Sequence, residues 1–379
     1  MNYRFDKIAF NSTAKKTPTE SDKEHYIGLE HIDSECLEIT RWGSDVAPIG
    51  EKLIMKKGDV LFGKRRAYQR KLAIAPFDGI FSAHGMVLRP NEEVVDKNYF
   101  PFFMSSDLFM ERAVQISVGG LSPTINWKDL REQEFPLPSL AKQKVLADKL
   151  WAAYRLKESY KKLLAATEEM VKSQFIEMFG NPLSSVQRYQ LKKLGDCCEL
   201  NPRRPNLTLK DTDKVSFVPM PSVSENGCLQ DVTDEEYGKV KKGFTYFENG
   251  DVLFAKITPC MENGKGAIAE GLTNNIGMGS TEFHVLRPIE EISSPYWLLA
   301  LTRLPIFRER ASKNMTGTGG QKRVPAKYLE NFMVGLPPIE EQSRFENIYK
   351  QSDKSGSGGR ESVALMGKVK KSLINYYNI

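Results

Sequence analysis

The five residues GDVLF stand at Gly58–Phe62 and again at Gly250–Phe254, an offset of 192. Other landmarks follow in the same order. VLRP recurs from Val87 and Val285, 198 apart, and LPSLAKQ from Leu137 is answered by LPPIEEQ from Leu336, 199 apart. Gly120 and Gly319, Leu130 and Leu329, and the segments VKSQF from Val171 and KKSLI from Lys370 also keep the 199 spacing. The small drift places length changes in the loops between landmarks. The period is too long for a solenoid. The 379 residues therefore read as two tandem copies of one domain and its connector.

Each copy has one plan. Short β-rich stretches such as KGDVLF and GIFSAHGMVLRP come first, punctuated by Gly, Pro and Asn. A Gly-rich loop follows, SVGGLSPTIN in the first copy and MTGTGGQKRVP in the second. A short helical segment and a Pro-rich turn then lead into a long helix. The first long helix has no Gly or Pro from Leu140 to Phe179. Leu150, Ala153, Leu156, Tyr160, Leu163 and Met170 suggest a coiled-coil seam along it. Forty residues at about 1.5 Å each make a rod of roughly 60 Å. The second rod is expected to break at SGSGG, Ser355–Gly359, since each glycine costs roughly 1 kcal/mol in a helix interior. That stretch reads either as a natural kink or as flexible-linker chemistry.

Composition narrows the class. The chain is 40% hydrophobic and 27% charged, as an ordinary globular protein is. No apolar run approaches the roughly 20 residues of a membrane span, and the N-terminal MNYRFDKIAF lacks a signal-peptide core. Five cysteines form no CxxC pair, which gives no disulfide framework or zinc site. A reduced, cytoplasmic protein is expected. The formal charge of +6 permits nucleic-acid binding without demanding it.

The most suggestive stretch is GKRRAYQRKLAI. Lys64, Arg65, Arg66, Arg70 and Lys71 put five positive charges in eight residues around Tyr68. Following a strand, they form the expected tip of a hairpin, where Lys and Arg neutralise phosphates and Arg reads guanine edges. In the second copy Lys256, Thr258, Asn263 and Lys265 take the analogous loop, less basic and richer in amides. The Gly-rich loops add Gly119, Gly120, Ser122 and Thr124, and then Thr316, Gly317, Thr318, Gly319, Gln321, Lys322 and Arg323. Main-chain N–H groups at such turns can hold a phosphate. His84 and His284 lie near strand ends and could donate to DNA, although a satisfied structural histidine is the commoner case. Each of these sites also has a bland reading, as a solvated turn or a tight connection. Enzyme readings fail individually. GDVLFGK fits GxxxxGK in form, but Arg65 stands where Ser or Thr should bind Mg²⁺. The four histidines make no HExxH, and no nucleophile–base pair or carboxylate cluster is evident.

The doubled order of GDVLF, VLRP, Gly-rich loop and LPSLAKQ-type turn, spanning nearly the whole chain, resembles the specificity (S) subunit of type I restriction–modification systems. The resemblance implies that each globular unit is a target recognition domain reading one half of a split, double-stranded DNA site. It also implies that paired helices form a spacer on which two methyltransferase (M) subunits dock, with restriction (R) subunits completing the complex. The S subunit itself is non-catalytic and cofactor-free, S-adenosylmethionine, ATP and Mg²⁺ belonging to its partners. The fold class expected is α+β. Residues 1–138 and 181–338 are the two mixed recognition domains. Residues 139–180 and 339–379 are long antiparallel coiled-coil helices giving pseudo-two-fold symmetry. The rivals are a structural adaptor with two protein-binding heads on a coiled-coil spacer, and the recognition half of a fused restriction–modification enzyme.

Overall fold

Asp59 and Asp251 account for the duplicated GDVLF. In the computed structural model, which describes residues 1–181, 184, 188–318 and 320–376, each aspartate receives two hydrogen bonds from the arginine of its own VLRP strand. Arg89 Nε and Nη2 lie 2.7 and 2.9 Å from the Asp59 carboxylate oxygens. Arg287 makes the same pair of bonds to Asp251, both at 2.8 Å. Such two-pronged pairs are among the stronger charge-assisted hydrogen bonds. Lys56 N–H and Glu248 N–H also donate to these carboxylates. The preceding glycines have φ of 90° at Gly58 and 92° at Gly250, a left-handed turn that favours glycine. Two landmarks separated in sequence are thus one structural lock, built twice.

The LPSLAKQ and LPPIEEQ landmarks form a second lock. Gln143 and Gln342 are fully buried. Gln143 accepts from Asp96 N–H at 2.8 Å and donates to Val94 O and Pro138 O. Gln342 accepts from Ser294 N–H at 2.8 Å and donates to Ile292 O and Pro337 O. Each glutamine thereby ties the start of a long helix to the globular part beneath it.

The chain divides into two compact units, Met1–Lys161 with Glu361–Ile379, and Lys162–Arg360. In the first, an antiparallel sheet has the order Ala9–Ser12, Gly85–Pro90, Val60–Gly63, Leu72–Ile74. A second sheet runs Lys15–Lys16, Lys52–Met55, Gly79–Phe81, Tyr26–Ile27, its last pair parallel. The other unit repeats the first sheet with Cys198–Leu200, Phe283–Pro288, Val252–Ala255, Gly266–Ile268. Its second sheet is Thr233–Glu236, Lys214–Val218, Ile276–Gly279, Thr245–Glu248. Three strands of this second sheet correspond between units; the fourth is added at opposite edges. In each unit one short strand pairs beside the Pro-rich turn, Asn2–Arg4 with Glu134–Pro136 and Leu191–Lys193 with Met333–Gly335.

Both long helices form. The first spans Leu140–Phe179 as its composition predicts. Its buried face differs from the expected seam. Leu146, Ala147, Leu150 and Tyr154 enter the core of the first unit, and Phe175 and Phe179 that of the second. Leu156, Leu163 and Met170 are 44%, 52% and 47% exposed. The second helix runs unbroken through Ile339–Tyr376, so SGSGG does not interrupt it. Gly356 is buried, and a Cβ placed there would make an ordinary contact with Leu164 Cδ2 at 3.6 Å. An Arg360–Asp353 ion pair of 2.8 Å spans the glycine stretch. Packing and bridging thus offset the propensity cost. Gly358 is exposed, with open space where a Cβ would go. Gly358→Ala is accordingly expected to stabilise the second unit by about 1 kcal/mol; a lower urea midpoint for the variant would contradict this. Among the described residues no helix is long and apolar enough to cross a membrane.

Candidate nucleic-acid interface

In the first unit, three segments distant in sequence meet at the end of the Val60–Gly63 strand. Arg66 N–H donates to Pro123 O at 2.7 Å and Ile125 N–H to Lys64 O at 2.9 Å, which docks the Gly-rich loop on the basic hairpin. Arg65 N–H donates to His84 O at 3.3 Å, adding the turn before the VLRP strand. Arg65 and Thr124 form a β-bridge, as do Val118 and Thr124. Gly119 has φ of 109°, which lets the loop turn back. Gly120 is exposed beside it. Thr124 spends its hydroxyl within the loop, on Ser122 O.

The cations here fall into two groups. Arg65 and Arg66 are exposed and share one neutral acceptor, Ser122 Oγ, at 3.2–3.3 Å. Arg66 holds φ of 56°, an uncommon conformation for a non-glycine residue that costs of order 1 kcal/mol and clusters at functional sites. Lys64 is half-buried, and burial lowers its pKa, with Lys15 adding to the effect. Arg70 and Lys71, by contrast, are committed to the scaffold. Arg70 pairs with Asp107 at 2.5 Å, and the Lys71 ammonium donates to Leu29 O at 2.6 Å. Tyr68 is 54% exposed on the same hairpin, and His84 is exposed. Leu121, at the loop tip next to Ser122, is 97% exposed. Sequence reasoning passed over it because an apolar residue in a loop carries no charge signal.

The second unit repeats the main-chain arrangement with other side chains. Thr258 N–H donates to Lys322 O at 3.0 Å and Val324 N–H to Lys256 O at 2.9 Å. Ile257 and Arg323 form a bridge, as do Thr316 and Arg323. Lys256 N–H donates to Glu282 O, again tying in the turn before VLRP. Arg323 is held by both Glu282 carboxylate oxygens, at 2.9 and 2.7 Å. That arginine keeps the Glu282 pKa below its ordinary value. Glu282 was not foreseen, since its role depends on a partner 41 residues away. Thr258 donates to Glu262, Asn263 to Glu225, and Lys265 reaches Met220 O at 3.5 Å. These three predicted residues therefore have internal partners. Thr316, Gly317, Thr318, Gln321 and Lys322 are exposed on the loop, and Gly319 lies outside the described residues. His284 is only 5% exposed, with Nε2 2.8 Å from Val324 O and Nδ1 3.1 Å from Asn201 Nδ2. It is a satisfied structural histidine, and burial lowers its pKa.

The electrostatics therefore differ between units. In the first, Arg65 and Arg66 have a hydroxyl as their only side-chain acceptor among the described residues. The second presents a carboxylate-bound arginine together with amide and hydroxyl groups. Both can offer donors to a polyanion. Among the described residues, no group of three or more His, Cys, Asp or Glu could hold a metal ion.

Comparison with known proteins follows the duplication. The family model "Type I restriction modification DNA specificity domain" matches residues 10–168 and 187–356. The type I restriction enzyme EcoAI specificity subunit of Escherichia coli is 37% identical over 198 residues, 49% of this chain and 33% of that protein. The EcoKI specificity subunit of E. coli K12 is 21% identical over 323 residues, 79% of this chain and 68% of that one. The chain thus spans about a third of the length of EcoAI and nearly the same share, 28%, of the EcoEI subunit. The crystal structure of a type I restriction-modification system S subunit from M. genitalium matches the whole chain and 95% of its own, with a TM-score of 0.61 at 12% identity. That likeness concerns the fold.

Proposed function

The chain belongs to the type I restriction modification DNA specificity domain family, which it matches twice, and on that premise we propose that it is the DNA-reading, non-catalytic subunit of a type I restriction–modification complex. Each unit reads one half of a bipartite site in double-stranded DNA. The observation that carries this is the pair of loop clusters, matched in main-chain hydrogen bonding and mismatched in side chains. A shared frame with different tips is what two readers of different half-sites require, because phosphate contacts position while base contacts specify. The basic hairpin and Gly-rich loop of the first unit grip phosphates and read base edges. The corresponding loops of the second do so with fewer free charges.

The long helices serve as spacer and docking surface. An antiparallel pairing of the helices is supported within the second unit by two contacts. Phe175 lies 5.5 Å from Phe345 between ring centroids, and Leu164 approaches Gly356. The partner residue number rises as the other falls. Leu156, Leu163 and Met170, exposed at spacings of seven, suit contact with methyltransferase subunits. Restriction subunits complete the assembly, S-adenosylmethionine, ATP and Mg²⁺ acting on those partners, in the cytoplasm. The test is exchange of residues 181–338 for the equivalent part of a relative, followed by mapping of methylated sites. One half of the recognised sequence should change and the other persist. Change in both halves, or in neither, would refute one reader per half-site.

A further inference from the structure

The loops that follow the two central strands have diverged between lysines kept at both ends, Lys64 with Lys256 and Lys71 with Lys265, the latter pair aligned by Gly63 N–H to Lys71 O and Ala255 N–H to Lys265 O. Main-chain hydrogen bonds fix the register between units. Ile125 N–H to Lys64 O corresponds to Val324 N–H to Lys256 O, and Arg66 N–H to Pro123 O corresponds to Thr258 N–H to Lys322 O. The bridge Arg65–Thr124 corresponds to Ile257–Arg323. In this register Arg65 is replaced by Ile257 and Arg66 by Thr258, while Lys64 corresponds to Lys256.

The two lysines share a situation as well as a place. Both are half-buried, and burial lowers both pKa values. Among the described residues neither ammonium group has a hydrogen bond or a salt bridge. The charges felt nearby are Lys15 at the first, and Glu282 and Arg323 at the second. Arg70 is committed to Asp107, Lys71 to Leu29 O and Arg323 to Glu282, while Arg65 and Arg66 rest on Ser122 Oγ. A partly desolvated ammonium without an acceptor is costly. Lys71 and Lys265, the other kept pair, each reach a main-chain carbonyl, so the acceptor-free ammonium in both units suits a ligand group identical in both half-sites. The phosphate diester is that group, since it carries no sequence information.

Resting on the DNA-reading proposal above, we infer that Lys64 and Lys256 are paired phosphate anchors, each fixing its loop on the DNA backbone irrespective of sequence, while the residues after them discriminate bases. The full chain, titrated with fluorescent mixed-sequence duplexes over a range of salt, tests this. Lys64→Met and Lys256→Met keep the aliphatic stem. Each should lower the slope of log K against log salt by about 0.9, and the affinity about fivefold at roughly 0.15 M salt. The double variant should lose about 1.8 in slope, by the same factor on every duplex sequence, and Lys→Arg at either position should restore most of it. Unchanged slopes in both Met variants, alongside a reduced slope for Arg65→Ala/Arg66→Ala, would overturn the anchors and leave the DNA reader standing. Losses that vary with duplex sequence would also overturn them. No salt-dependent binding by the unaltered chain would remove the reader proposal and this inference together.

Discussion

Arg65→Ala combined with Arg66→Ala is expected to weaken binding to the specific duplex by about 2–6 kcal/mol, taking 1–3 kcal/mol for each arginine that reads a base edge. Both guanidinium groups are exposed and rest on Ser122 Oγ. A neutral hydroxyl at 3.2–3.3 Å is a weak competitor for them, so turning to DNA requires no carboxylate to be abandoned. The loss should be larger on the specific site than on mixed-sequence DNA. Arg70→Ala supplies the contrast, because its charge is engaged by Asp107 and Glu35. It should alter thermal stability more than the salt dependence of binding. Anisotropy titrations of the two variants decide the matter. Equal losses on specific and mixed duplexes would mean that Arg65 and Arg66 hold phosphates only. No loss at all would mean the hairpin does not meet DNA.

Asp251→Ala should destabilise Lys162–Arg360 by about 3–5 kcal/mol, the usual cost of removing one partner from a buried ion pair. The Asp251 side chain is 2% exposed and takes both bonds from Arg287, whose own pKa it helps to raise. The substitution leaves the guanidinium and Glu248 N–H without this acceptor; Glu248, 3.2 Å from Arg287, compensates in part. Of the four tryptophans, Trp297 alone lies in this unit, where it is 1% exposed. Urea unfolding of a protein retaining only Trp297 would therefore follow the affected unit. A midpoint shift worth under about 1 kcal/mol would show that the lock is dispensable.

The repeat, the long helix from Leu140 to Phe179 and the placing of the hairpin were legible because they depend on local pattern and spacing. Partner choice was not. Nothing in KRRAYQRK distinguishes Arg66, resting on a hydroxyl, from Arg70, bound to Asp107, since both partners come from other segments. The landmarks that revealed the duplication turned out to be framework, Asp59 with Arg89 and Gln143 with Val94 and Asp96. Helix propensity misjudged Ser355–Gly359 because tertiary context overrides it there, with Gly356 and Gly359 buried and Arg360 paired with Asp353 across the stretch. His84 and His284 looked alike in sequence, yet one is exposed and the other buried against Asn201 and Val324.

Main-chain bonds do most of the docking of hairpin on Gly-rich loop in both units, and the ionic and amide locks stand apart from the tips. Backbone groups are common to nearly every amino acid, so such contacts survive when side chains are exchanged. The cost of mutational drift is thereby confined. Substitutions at the rim change what the surface displays while cohesion of the domain is underwritten elsewhere. A lineage carrying this architecture can explore new binding preferences in single steps without first accumulating compensatory changes in its interior.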